Sequence, residues 1–94
     1  MKLSVKFMGS YQVASGTEEL PLRLEGTAKV KNAIKKISEE LPGIKKLLDT
    51  TKFENLASHT LILLNGQEIG VLKGLETPLD HGDELVLIPV SHGG

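Results

Sequence analysis

The chain contains no cysteine and no tryptophan. The absence of cysteine excludes disulfide bonds, thiolate nucleophiles and cysteine-based zinc sites, and it is typical of proteins from a reducing compartment. Aromatic residues make up only 3% of the sequence, so a platform for stacking single-stranded bases is lacking. The formal net charge of -1 produces no field that would attract nucleic acid. We therefore expect no direct nucleic-acid partner.

Long apolar runs are also missing from the sequence. No segment approaches the roughly 20 apolar residues that a membrane-spanning helix needs, and the first residues lack the apolar stretch of a signal peptide. These features predict a cytoplasmic protein without a membrane partner. The 94 residues, of which 39% are hydrophobic, suit one globular domain.

The first half of the chain shows the pattern of two strands and a helix. Residues 2–8 alternate between apolar and polar side chains, and residues 18–24 alternate more weakly around Pro21, which favours an edge strand. The glycine and serine residues between these strands predict a loop. Thr27 is the predicted N-cap of a helix with apolar residues at helical spacing, and Pro42 stops that helix.

The second half of the chain is mostly strand. Residues 60–64 predict a strand that ends in Asn65–Gly66, a strong two-residue hairpin signal, and residues 84–89 predict the last strand. This order predicts an α+β domain with a mixed sheet and one main helix across one face. We expect the domain to cover residues 1–89 and a flexible tail to cover residues 90–94.

Three segments of the sequence resemble a known family. Leu64–Glu68, Leu79–Leu85 and Pro89–Gly94 are similar to segments of the ubiquitin-like β-grasp sulfur carriers. These include the small subunit of molybdopterin synthase, the ubiquitin-related modifier and the archaeal small modifier proteins. His92 is more similar to the ubiquitin-related modifier, whereas Val90 stands where the molybdopterin-synthase members usually carry a second proline. The resemblance implies a β-grasp fold whose last strand lies between the first and the third.

The resemblance also implies that the chain is a carrier and not an enzyme. An activating enzyme that uses ATP and Mg²⁺ would adenylate the carboxylate of Gly94, and a sulfur donor would convert the adenylate to a thiocarboxylate. Sulfur would then pass to a pterin precursor in the large subunit of molybdopterin synthase, or to tRNA through a thiolating enzyme. The alternative is a protein modifier joined through Gly94 to target lysines, and a third hypothesis is a β-grasp interaction module that is never activated. The chain itself is expected to bind no cofactor.

Residue types near the end of the chain suit this chemistry. Glycine has no Cβ, so Gly93 and Gly94 fit a narrow channel in which a side chain would clash. Gly94 is therefore the candidate acyl donor, and Gly93 supplies the clearance. Pro89 lacks an N–H and is expected to end the ladder of the last strand. His92 is a candidate contact in the channel of the activating enzyme.

The strands predicted at residues 60–64 and 84–89 are apolar on both faces, which indicates a second apolar surface on the sheet. If Leu61, Leu63, Leu85 and Leu87 face the helix, an uncovered patch lies on the opposite face. With Pro89 and His92, the members of that patch are the candidate partner-binding residues: Ile62, Leu64, Val86 and Ile88. Three alternatives stay open: the loop of residues 49–58 covers the patch, the protein dimerises through it, or a one-residue slip exchanges the two sets.

The three histidines do not indicate a metal site. His59, His81 and His92 lack the spacing of metal ligands and have no cysteine to complete a site. We expect them to be surface residues, and no metal is predicted.

Overall fold

The structure is a computed structural model that describes residues 1–48 and 53–90. In chain order its elements are β1 (Lys2–Phe7), α1 (Ser10–Ser15), β2 (Glu19–Arg23), β3 (Ala28–Lys29), α2 (Val30–Glu40), α3 (Pro42–Lys45), α4 (Phe53–Ala57), β4 (Thr60–Leu64), β5 (Gln67–Glu68), β6 (Pro78–Leu79) and β7 (Glu84–Pro89). Two 3-10 turns, Ile69–Val71 and Gly74–Glu76, lie between β5 and β6. None of the helices in the described ranges has the length and apolar character needed to cross a membrane.

Five strands form one mixed sheet in the order β2-β1-β7-β4-β5. β1 and β7 run parallel, and the other neighbouring strands are antiparallel. The last strand thus lies in the middle of the sheet, between β1 and β4. Because β4 is the third of the strands predicted from the sequence, this is the position that the resemblance implies. Pro21 is exposed on the edge strand β2, where its missing N–H leaves no gap in a ladder. β3 and β6 form a separate antiparallel pair.

Helix α2 supplies one side of the core. Its buried residues recur at helical spacing: Val30, Ala33, Ile34 and Ile37. They belong to one core cluster together with the buried face of β1: Leu3, Val5 and Phe7. The alternation of β1 and the helical periodicity of α2 are therefore confirmed, because each pattern places its apolar residues on one side of the element.

The predicted start of this helix is wrong. Its N-cap is Lys29 and not Thr27. The two residues before the helix pair with Pro78 and Leu79 as strand β3, so they are held in an extended conformation. The Lys29 backbone N–H donates to the Asn32 side-chain oxygen across 2.8 Å, which satisfies a donor that the helix leaves unpaired. The helix ends at Glu40, before Pro42, as predicted.

The connection between β1 and β2 forms helix α1 and not the predicted loop. A helix of 6 residues is too short to show a reliable period in the sequence. Tyr11 is its buried residue. A Cβ added to Gly43 in α3 would lie 2.3 Å from the carbonyl oxygen of Ala14. The glycine therefore permits the close approach of α3 to α1.

The hairpin between β4 and β5 is confirmed. Asn65 and Gly66 have φ values of 50° and 85°, the left-handed conformation that a two-residue turn of this kind requires. Leu64 lies opposite Gln67 across the turn.

The predicted face assignment of β4 is wrong. Ile62 is 2% exposed and Leu64 is 7% exposed, and both belong to the core cluster. Ile62 lies opposite Leu87, and Leu64 lies opposite Leu85. Directly opposed residues in an antiparallel pair share a face, and both leucines of β7 are buried as predicted. The one-residue exchange that the periodicity left open therefore applies to β4 alone.

Candidate functional site

The solvent side of β4 and β7 carries four half-buried apolar side chains, here called the outer patch: Leu61, Leu63, Val86 and Ile88. Leu61 lies opposite Ile88, and Leu63 lies opposite Val86. Because cross-strand partners have Cβ atoms only about 4.5–5.5 Å apart, the four side chains form a contiguous surface. A contiguous apolar surface of this kind is a candidate for protein docking.

Part of the loop considered as a cover for this surface packs elsewhere. Residues 53–57 form α4, and Leu56 of this helix is fully buried in the core cluster. That cluster includes Ile62 and Leu64, which point away from the outer patch. Residues 49–52 lie outside the described residues.

Charged side chains border the outer patch. Lys6 of β1 lies opposite Val86, and its Nζ is 3.3 Å from the Glu84 carboxylate. Glu68 of β5 lies opposite Leu63. The Lys6–Glu84 pair is largely exposed, so it adds little stability. An apolar centre with a charged rim is the usual composition of a protein–protein interface.

Strand β7 leads directly from the outer patch to the predicted tail. It ends at Pro89, as expected, but the next residue is also attached to the domain. The Val90 N–H donates to the carbonyl oxygen of His59 across 3.0 Å. Pro89 lies opposite Thr60 and shares its face, which is the core side of the sheet. We call Pro89 and Val90 the tail root.

The structure separates the predicted site residues into three groups. Val86 and Ile88 lie in the outer patch, Pro89 lies at the tail root on the core side, and Ile62 with Leu64 is buried. The remaining predicted residues lie outside the described residues: His92, Gly93 and Gly94. The sequence interpretation missed Leu61 and Leu63 as patch members because β4 is apolar on both faces. Only the pairing of β4 with β7 shows which face of β4 packs against the core and which faces solvent.

Two of the three segments that carry the family resemblance, Leu64–Glu68 and Leu79–Leu85, lie next to each other in the fold. The Asn65 N–H donates to the Glu84 carbonyl oxygen across 2.9 Å, and the Gly82 N–H donates to the Lys2 carbonyl oxygen across 2.8 Å. The turn before β7 is therefore tied both to the β4–β5 hairpin and to the start of β1. These contacts assign the two segments a structural role in the position of β7.

The described histidines have hydrogen-bond partners in the chain. The His81 Nδ1 accepts from the Lys2 backbone N–H across 3.1 Å, and the His59 Nδ1 lies 2.9 Å from the Thr60 hydroxyl. Among residues 1–48 and 53–90, no three His, Asp or Glu side chains are grouped so that they could hold a metal ion.

The fold and the site together define the class of protein. A mixed sheet with a central parallel pair, packed against one main helix and ending in a central strand that leads to a diglycine, is the arrangement of the ubiquitin-like β-grasp proteins. The chain belongs to the ThiS family, whose sequence model matches residues 5–94. It is thus a member of a family of ubiquitin-like sulfur carriers and modifiers.

Individual relatives and structures agree with this assignment. The chain is 26% identical to small archaeal modifier protein 3 of Haloferax volcanii, and the match covers 100% of both chains. The solution structure of small archaeal modifier protein 1 from Methanosarcina acetivorans is 33% identical, with a TM-score of 0.82 over 99% of this chain and 96% of that chain. A third similar structure is the complex of subunits 1 and 2 of molybdopterin-converting factor from Helicobacter pylori, with 26% identity, a TM-score of 0.62 and 100% coverage of both chains.

Proposed function

We propose that this protein is a sulfur carrier whose Gly94 carboxylate is activated by a separate enzyme. The carboxylate attacks the α-phosphate of ATP, bound with Mg²⁺ in that enzyme, and pyrophosphate leaves. A hydrosulfide equivalent then attacks the acyl carbon, AMP leaves, and a thiocarboxylate remains on Gly94. The carrier is a protein co-substrate in these steps and supplies no catalytic side chain. The requirement for ATP suits a cytoplasmic location.

One observation supports this proposal most directly: the tail root adjoins the outer patch. Val90 lies two residues after Ile88, just past the end of β7, and it is hydrogen-bonded to the domain. A partner that docks on the outer patch therefore meets the start of the tail at a defined position. Residues 91–94 reach at most about 13–14 Å beyond Val90 when extended. This length is the greatest distance from Val90 at which Gly94 would enter a channel of the docked partner.

The docking partner is expected to be the activating enzyme first and a sulfur-using enzyme later. The Helicobacter structure is a complex of two subunits of molybdopterin-converting factor, and it supports a large-subunit partner for this chain too. In that case the thiocarboxylate delivers sulfur to a pterin precursor. A tRNA-thiolating enzyme is the other acceptor system that this chemistry suits. Both require the same activated Gly94.

A protein-modifier function is the second candidate. Two of the similar proteins are named small archaeal modifier proteins, which supports conjugation of Gly94 to lysines of target proteins. The chemistry differs only in the last step, in which a lysine amine attacks the acyl carbon and an amide bond forms. Because the activated intermediate is shared, one chain is able to serve both functions.

Intact-mass analysis tests these functions. The protein is incubated with ATP, Mg²⁺, a sulfide source and an extract of its own cells, and its mass is then measured. Replacement of one oxygen by one sulfur, localised to Gly94, is the result expected for the carrier. New lysine-linked species without that replacement would favour the modifier.

The control is a variant with one residue appended after Gly94. It keeps the domain and the outer patch but moves the carboxylate, so neither product should form. If the wild-type protein gives no product, the chain is a plain interaction module. Activation of the extended variant without trimming would also overturn the carrier proposal.

A further inference from the structure

The tail root is held by a carbonyl group that accepts two hydrogen bonds. The His59 carbonyl oxygen accepts from the Val90 N–H across 3.0 Å and from the Tyr11 hydroxyl across 3.2 Å. Both lone pairs of that oxygen are therefore occupied. Tyr11 belongs to α1 and is 48 residues from His59 in sequence, so the tertiary fold brings these groups together.

The hydroxyl of Tyr11 is itself fixed in place. It forms a short hydrogen bond with the Thr60 hydroxyl, and that hydroxyl also lies 2.9 Å from the His59 Nδ1. Tyr11 and Thr60 are both buried. The bond between them is buried, so it is less exposed to competition from water than a surface bond, and the bonds to His59 are partly buried. The network therefore restrains the His59 peptide group to which Val90 is bonded.

A second contact restrains the tail root from the side of the loop before α1. A Cβ added to Gly9 would lie 3.2 Å from the Pro89 Cγ, so the Gly9 backbone packs closely against the proline ring. The Met8 N–H also donates to the Leu87 carbonyl oxygen across 3.0 Å. The end of β7 is thus bounded by the loop at Gly9 and by the network at His59.

From this geometry we propose that Tyr11 and Thr60 are positioning residues for acyl transfer at Gly94. They hold the His59 carbonyl group, that group holds Val90, and Val90 is the point from which the tail starts. This inference rests on the proposed function. It goes beyond that function by assigning a role to two side chains that lie within the domain and hold the tail root.

The short tail explains why the position of its root matters. Because four residues reach at most about 13–14 Å beyond Val90, the position of Val90 limits the points that Gly94 is able to reach. A misplacement of only about 1 Å is able to reduce the rate of a positioned reaction by about 100-fold. Loss of the network is therefore expected to lower the rate of activation in the docked complex more than it weakens docking.

Thr60→Val tests this inference, and Thr77→Val is its matched control. Both threonines are buried, and the Thr77 hydroxyl also makes two hydrogen bonds, to the Gly74 carbonyl oxygen at 2.7 Å and from the Lys73 N–H at 3.0 Å. Thr77 precedes β6, apart from the tail root. The two variants therefore remove the same group from a buried environment, but only one of them removes it from the network. Thr60→Ser keeps the hydroxyl and should restore the wild-type behaviour.

Two measurements are made on these variants and on Tyr11→Phe. The first is hydrogen exchange of the Val90 amide in the folded protein, expected to accelerate about 10-fold or more in Thr60→Val and Tyr11→Phe relative to Thr77→Val. The second is ATP–pyrophosphate exchange by the activating fraction of the cell extract as a function of carrier concentration. The maximal rate should fall about 10-fold while the half-saturating concentration changes less than about 2-fold.

Each outcome separates the inference from the proposed function. Unchanged Val90 exchange in both network variants would overturn the role of the network, whatever the result of the ATP–pyrophosphate exchange assay. If Val90 exchange is faster in the network variants but their activation rate equals that of Thr77→Val, the network is purely structural. That result would overturn the positioning role. Absence of activation with the wild-type protein would instead refute the proposed function. The positioning role would then be refuted too, but the effect of the network on the Val90 hydrogen bond would still be established by the exchange measurement.

Discussion

The side-chain amide of Asn65 donates to the Asp83 carboxylate across 2.9 Å, and the two residues are 18 positions apart in the chain. The oxygen of the same amide accepts from the Glu84 N–H across 2.9 Å, and the other carboxylate oxygen of Asp83 accepts from the Asp80 N–H across 2.7 Å. Asn65 thereby joins the β4–β5 hairpin to the turn that starts β7. Because β7 carries half of the outer patch and the tail root, this contact helps to position the candidate site.

Substitution of Asn65 should separate the side-chain contact from the turn conformation. Asn65→Gly keeps the left-handed backbone but removes both side-chain bonds, so we expect a loss of about 1–2 kcal/mol in the free energy of unfolding. Asn65→Ala should lose roughly a further 1 kcal/mol, because alanine is unfavourable at the positive φ of this residue. Urea denaturation measures both values. If Asn65→Gly is as stable as the wild type, the bridge to Asp83 contributes nothing.

Substitutions of two neighbouring residues of β4 should differ in how much stability they cost. Ile62 is buried, so Ile62→Ala should cost about 2–5 kcal/mol of unfolding free energy. Leu63 lies in the outer patch, so Leu63→Ala should cost less than about 1 kcal/mol. Chemical denaturation of the two variants checks the face assignment. A larger loss in Leu63→Ala would show that β4 is turned the other way.

The outer patch should be required for docking. Leu63→Glu and Val86→Glu place a charge on an apolar contact surface and should weaken binding to the activating fraction at least 10-fold, while the circular dichroism spectrum stays native. Pull-down with immobilised carrier measures the binding. Lys46→Glu, an exposed change in the turn after α3, is the control. Equal binding by all three variants would place the docking surface elsewhere.

Gly43 should not tolerate a larger residue. The Cβ of Gly43→Ala would lie 2.3 Å from the Ala14 carbonyl oxygen, so α1 and α3 would have to separate. We expect a loss of about 1–3 kcal/mol, the usual range for overpacking. Thermal unfolding measures it, with the exposed Glu39→Ala as a control expected to stay within about 0.5 kcal/mol. An unchanged melting temperature in Gly43→Ala would contradict the close approach.

Glu76 should make folding stability depend on acid pH. Hydrogen bonds from Lys29 and Lys31, both at 2.7 Å, lower the pKa of Glu76 from 4.5 to about 2. A lowered pKa in the folded state favours the ionised form there, so the stabilisation is complete above pH 4.5 and is lost as the pH falls to about 2. Its size is reduced by the exposure of the carboxylate to solvent and salt.

The side-chain carboxyl resonance of Glu76 gives a direct measurement of this effect. Its NMR titration midpoint should lie near pH 2 in the folded protein and should rise in high salt, because salt screens the two lysines. Glu76→Gln should remove the part of the pH dependence of stability that falls between pH 4.5 and 2. A midpoint near pH 4.5 would show that, in solution, the two lysines do not form the hydrogen bonds with the carboxylate.

Much of the fold was predictable because its signals are local. The alternation of β1 and the turn at Asn65–Gly66 depend on residues next to one another, and the structure confirms both. Helix α1 was missed because six residues are too few to establish a period. The N-cap at Lys29 was missed because the extended backbone before α2 is held by Pro78 and Leu79, which are remote in sequence.

The candidate site was predictable only in part, because some of its features depend on contacts between residues that are remote in sequence. The order of elements and the three segments that resemble the sulfur-carrier family indicate a β-grasp fold and an expected reacting end at Gly94, because each is a property of the linear chain. Which face of β4 meets the core was decided by its register with β7, in which Ile62 lies opposite Leu87. The network of Tyr11, His59 and Thr60 likewise exists only in the folded chain. A strand that is apolar on both sides contains no information about its orientation, so long-range pairing and packing had to supply it.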